Sequence, residues 1–134
     1  MRRHLGLLVC VSLSACLWRS YVEILTVHLT VLTQMADKLG SLAEAGHAPT
    51  AADMAEFTYP AQRGRQFLRQ FSRYADRQSY RGFTQFLDRY EVLLKRVDAA
   101  RVSESTWTAE RPRVAAERQA LAALAAATRG HLNE

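Results

Sequence analysis

The sequence predicts an all-α protein: a four-helix bundle preceded by a cleaved signal helix. Three observations predict it. Apolar residues recur at steps of three and four along most of the chain, no segment shows the strict alternation of a strand, and no βαβ pattern or internal repeat appears. With 134 residues, 49% of them hydrophobic and 23% charged, the chain has the makeup of one globular domain that a hydrophobic core suffices to hold.

Met1-Arg2-Arg3-His4 supplies a positive start, and Leu5 to Ala15 supplies eleven mostly apolar residues. This is the layout of an export signal. The run is too short to cross a bilayer, which takes about twenty apolar residues, because Arg19 and Glu23 interrupt it soon after Trp18. Leu13-Ser14-Ala15-Cys16 resembles the lipobox of bacterial lipoproteins, over these first sixteen residues only. The resemblance implies that residues 1–15 are removed as a lipoprotein signal peptide and that Cys16 receives a diacylglycerol. It further implies that residues 16–134 form a single mature domain, tethered to a membrane on the periplasmic or surface side. Leu17 stands where retention in an inner membrane is associated with aspartate, so the outer membrane is implied where a cell has two. The competing reading is an uncleaved signal anchor running from Leu5 through Leu32, and a third is a soluble protein with an apolar first helix. The two cysteines are Cys10 and Cys16; processing would leave the mature domain no thiol for a disulfide or a metal.

The first mature helix is predicted from the seam Trp18, Val22, Leu25, Leu29, Leu32, Ala36, Leu39 and Ala43, an unbroken alternation of four and three steps. A second row at Tyr21, Ile24, Val31, Met35 and Leu42 widens the stripe, as expected of a helix with two neighbours. Gly46-His47-Ala48-Pro49 should end it. Because the seam begins two residues after Cys16, no flexible tether is expected between the lipid and the bundle.

Thr50 and Asp53 read as a capping box, opening a short helix through about Phe57. Tyr59-Pro60 should break it, with a new helix from Pro60 or Ala61. Phe67, Leu68, Phe71, Tyr74 and Ala75 give that helix its face; Phe83, Phe86, Leu87, Tyr90, Leu93, Leu94 and Val97 form the next stripe. The two stripes point roughly 110° apart at 3.6 residues per turn, so a break is placed near Ser79 to Gly82. Ser103 to Thr106 read as a loop. The last helix is predicted from about residue 109 to 129, with Pro112 in its first turn, Gly130 as its stop, and a thin face of Val114, Leu121, Leu124 and Ala125. Trp107 falls outside that phase and is read as the anchor of a helix start.

Charge narrows the function classes. The chain has 18 Lys plus Arg against 13 Asp plus Glu; without Arg2 and Arg3 these become 16 and 13, a net +3. That balance, without interleaved aromatic and basic residues, gives no reason to expect a nucleic acid partner. The most distinctive pattern is Arg65, Arg69, Arg73, Arg77 and Arg81, at uninterrupted four-residue spacing with Arg63 just ahead. On one helix they would stand side by side, opposite the Phe67/Phe71/Tyr74 face. One reading is a surface for an anionic partner: phosphorylated lipid headgroups, an acidic envelope polymer or an acidic protein. The other is a solvated face partly paired with Asp88, Glu91 or Asp98.

His28, His47 and His131 have no ligand-like spacing to one another or to carboxylates, so no metal is expected. No C-x-x-C-H haem motif, nucleophile elbow, phosphate-binding glycine loop or paired carboxylate is present, and no catalytic residue or cofactor is assigned. The sequence thus reads as a small lipid-anchored envelope protein, a non-enzymatic interaction or accessory module. The alternatives are a bundle that binds a small ligand or cofactor, a signal-anchored membrane accessory protein, and an enzyme whose site carries no motif.

Overall fold

The seam that begins at Trp18 becomes the inner face of α1 (Arg2–Ala45). In the computed structural model the backbone is described for residues 2–133 and side chains for residues 13–133. Residues 1–12 of the expected leader, including Cys10, lie outside the described side chains. Leu25, Leu29, Leu32, Ala36, Leu39 and Ala43 are buried, while Trp18 and Val22 pack against the core from its edge. Of the second row, Tyr21 is fully buried and Ile24 stays exposed.

The helix ends as the sequence predicts, on Gly46 at φ 83°, a left-handed conformation in which a side chain is strained. His47 N–H donates to the Leu42 carbonyl at 2.9 Å and Gly46 N–H to that of Ala43 at 3.3 Å, the Schellman arrangement. A second cap comes from far along the chain. Arg111 donates through Nε to the Ala43 carbonyl at 2.6 Å and through Nη2 to that of Glu44 at 3.0 Å, adding side-chain donors to the carbonyls of the last turn.

The helix α2 (Ala51–Gln70) opens on the predicted capping box: Asp53 N–H donates to Thr50 Oγ1 at 3.1 Å and Thr50 N–H to Asp53 Oδ2 at 2.9 Å. It does not stop at Phe57. Pro60 lies inside one continuous helix, contrary to the predicted break. A proline within a helix costs about 3 kcal/mol. Here Phe57, Ala61, Phe67 and Leu68 all reach the core, and only an unbroken helix lets them do so together. The carbonyl that Pro60 deprives of a partner belongs to Glu56, an exposed position, where water can reach it. Beside it the Tyr90 hydroxyl donates to the Phe57 carbonyl at 2.6 Å, tying the proline turn to the next helix.

The chain then turns through a 3-10 segment, Ser72–Tyr74, into α3 (Gln78–Ala100). A break between the two aromatic stripes is present, but at residues 71–77 rather than at Ser79 to Gly82. Ser79 and Gly82 are helical because each fits a neighbour. Ser79 is buried against Tyr21, hydroxyl to hydroxyl at 2.7 Å, and Gly82 lies so close to α4 that a Cβ there would stand 2.6 Å from Thr128 Oγ1.

The last helix, α4 (Glu104–Gly130), starts earlier than predicted, capped by Ser103 Oγ, which accepts from Thr106 N–H at 3.2 Å. Trp107 therefore sits in its first turn, buried. Pro112 is interior rather than in the first turn; Pro112 and Thr108, whose carbonyl loses its partner, both face solvent.

These helices form an all-α four-helix bundle. Short connections reverse the chain three times, so α1 lies between α2 and α4, and α3 packs on the same two. Among the described residues there is no strand. Tyr21, Phe57, Phe83, Phe86, Leu87, Tyr90, Trp107 and Leu121 are buried to within 2% exposure; side chains of this size contribute about 1.5–3 kcal/mol each on burial.

Candidate interaction surface

The alternating topology gathers four chain segments at one end of the bundle: the start of the packed part of α1, the end of α2, the start of α3 and the end of α4. Aromatic rings close that end. Trp18 lies 5.2 Å from Tyr21 and 5.4 Å from Tyr74, and Tyr21 lies 4.6 Å from Tyr74 and 5.6 Å from Phe67, centre to centre. Just before this cluster, on the same uninterrupted helix, is Cys16, exposed and with a free thiol. No flexible tether separates it from the packed rings, as the sequence predicts.

The five spaced arginines do not form one helical row. Because α2 ends at Gln70 and α3 begins at Gln78, the spacing spans a turn: Arg65 and Arg69 lie on α2, Arg73 in the 3-10 turn, Arg77 at the N-cap of α3, and Arg81 on α3 itself. Their environments divide accordingly. Arg65 is held by two carboxylates of α3, Nε to Glu91 Oε1 at 2.7 Å and Nη2 to Asp88 Oδ1 at 2.6 Å. For this one residue the pairing with Asp88 and Glu91 that the sequence allows is realised. Arg81 donates through Nη2 to the Asp76 carbonyl at 2.8 Å, bracing the turn. Arg73 lies over the Tyr74 ring at 5.7 Å and Arg77 over the Trp18 ring at 5.0 Å. None of Arg69, Arg73, Arg77 and Arg81 makes an ion pair with a described residue.

Topology adds Arg19, exposed beside Trp18, and Arg129, in the last turn of α4, to this end. Neither belongs to the four-residue pattern; only the return of the chain to the same end brings them there. Against these cations the same end offers Asp76 and, one turn further along α1, Glu23. No side chain caps the first turn of α3, so its free amides add to the positive field. At the other end Glu44 pairs with Arg118, Glu56 with Lys38 and Asp98 with Arg101, while Arg96 and Arg113 are exposed and have no ion pair among the described residues.

Among the described residues two hollows stand out on the surface. The larger, an open groove of ≈ 870 Å³ between α2 and α3, has Met54, Ala61 and Leu94 among its apolar walls and Arg65, Arg69 and Glu91 among its polar ones. A shallower recess of ≈ 300 Å³ lies between α3 and α4, where Arg81 and His131 meet Gly82 and Thr128.

His28 packs between Phe67 at 5.2 Å and Phe83 at 6.0 Å. Burial, helped by the positive charge of Arg63, pushes its imidazole below the usual histidine range. His47 is exposed in the turn after α1 and His131 borders the recess. Among the described residues no three His, Cys, Asp or Glu side chains converge as metal ligands would. Also among them, no helix is long and apolar enough to cross a membrane.

The chain matches no protein-family model, and no curated protein or solved structure is significantly similar to it.

Proposed function

We propose that this protein is a small lipid-anchored module of the cell envelope, non-enzymatic, that works by presenting a helical bundle to partners at a membrane. The observation that carries the reading is the position of Cys16. It follows Leu13-Ser14-Ala15, its thiol is exposed, and the packed core begins at Trp18. An acyl chain there would hold the ring-closed end of the bundle against the bilayer with no slack between them.

The interior supports a contact module over a ligand binder. Large side chains at nearly zero exposure occupy the bundle axis, leaving the ≈ 870 Å³ hollow as an open surface groove between two helices.

The second reading, an uncleaved signal anchor, draws on the outward apolar face of α1, where Leu13, Leu17, Ile24 and Val27 are exposed. Replacing Cys16 by Ala separates the two. Under the lipid-anchor reading the native chain begins at an acylated Cys16 and the Cys16→Ala chain does neither, as mass analysis of the N-terminus reports. Identical, unacylated N-termini beginning at Met1 in both, with both in the membrane fraction, favour the anchor helix.

A further inference from the structure

We propose that the arginine-rich end of the bundle is a seat for anionic phospholipid headgroups, with Arg73 and Arg77 at its centre and Arg19, Arg69 and Arg81 around it. The proposal rests on the lipid-anchor reading for its orientation: a chain held at Cys16 has this end nearest the membrane. Trp18, two residues on, is half-buried and lies under Arg77, and tryptophan favours the headgroup level of a bilayer.

Charge selects the occupant. Arg65, Arg89, Arg101 and Arg118 are each taken by a carboxylate of the bundle, whereas Arg19, Arg69, Arg73, Arg77 and Arg81 are exposed and without an ion pair among the described residues. Guanidinium groups recognise phosphate with paired donors. Shape selects a plane over a linear polymer. Arg73 and Arg77 sit on the turn that ends the bundle and line neither hollow, while the groove that could hold an extended acidic chain has Glu91 and Asp98 on its own walls.

The test uses the full-length chain carrying Cys16→Ser, so that no acyl group contributes. Its partition is measured into vesicles of phosphatidylcholine alone and of phosphatidylcholine mixed with phosphatidylglycerol, and the ratio of the two is the readout. Apolar contributions of the chain cancel in that ratio. The ratio should exceed one, fall about fivefold for each of Arg73→Gln and Arg77→Gln, recover in part in Arg77→Lys, which keeps the charge without the paired donors, and collapse in salt. Arg113→Gln, at the opposite end, should leave it unchanged. A ratio of one overturns the proposal, and so does a ratio indifferent to both Gln variants. Binding to a soluble acidic polysaccharide through these arginines, with no preference for phosphatidylglycerol, overturns it in favour of an envelope polymer. The N-terminal mass of the native chain is read separately. An unacylated chain with an arginine-dependent ratio keeps the seat and removes the anchor; an acylated chain with a ratio of one does the reverse.

Discussion

The guanidinium of Arg77 lies 5.0 Å from the ring centre of Trp18, joining the residue that opens α3 to the first ring that α1 packs. A cation over a tryptophan face at an exposed site contributes about 0.5–1 kcal/mol. Arg77→Gln should therefore lower stability by no more than that, and Arg69→Gln and Arg73→Gln by less, as followed by thermal melting. A loss of several kcal/mol from the three together would make these arginines structural.

Tyr21 and Ser79 share a buried hydroxyl pair at 2.7 Å across the bundle, and burial pushes the Tyr21 phenol up. Tyr21→Phe strands the Ser79 hydroxyl, which is 1% exposed. A loss of about 1–3 kcal/mol is expected from an unpaired buried group. Adding Ser79→Ala to that variant should recover part of it in denaturant unfolding; a double variant less stable than Tyr21→Phe alone would contradict this account.

At Gly82 two effects oppose each other. Alanine raises helix propensity by about 1 kcal/mol, yet its Cβ would meet Thr128 Oγ1 at 2.6 Å, and overpacking costs about 1–3 kcal/mol. Gly82→Ala should destabilise the native chain and become neutral or stabilising in a Thr128→Ala background. Additive effects in that cycle would show that the contact does not limit the approach of α3 to α4.

Acid should weaken the fold first through His28. Its folded-state affinity for a proton lies below the ordinary value of 6.5, through burial and then Arg63. Below that pH the unfolded chain takes up a proton that the native ring resists, so stability is complete above about 6.5 and falls as pH drops toward the lowered native value. Asp53, held low by the Thr50 backbone, and Glu117, held low by the Arg89 guanidinium, add losses only below their ordinary values of 3.8 and 4.5. Melting temperature should decline between neutral and mildly acid pH, and His28→Gln should flatten that decline. An unchanged slope in the variant would place the sensitive group elsewhere.

Much of the bundle was legible in the sequence. The seam of α1, its stop at Gly46, the Thr50/Asp53 capping box and the core rings of α3 depend on residues within a turn or two of one another, so periodicity reveals them. The errors share a cause. Pro60 and Pro112 read as breaks or first-turn residues because local rules assign them a cost, while the burial of Phe57, Ala61 and Phe67 that offsets it comes from other helices. The phase of the two aromatic stripes places their break near Ser79 to Gly82, and only the contacts of Ser79 with Tyr21 and of Gly82 with Thr128 show those residues to be helical. The arginine pattern read as a single face because spacing assumes one helix throughout.

By itself the sequence determined that the chain is helical, where its apolar faces lie, and that a cysteine follows a lipobox-like segment, because these depend on chain-local spacing and composition. Only the tertiary structure decided that Arg111 caps α1, that Arg65 is spent on Asp88 and Glu91, and that Arg19, Arg73, Arg77 and Arg129 meet at the end nearest Cys16. Those relations join residues tens of positions apart. They follow from which way each turn sends the next helix and which faces the shared core draws inward, and neither is written in any one segment.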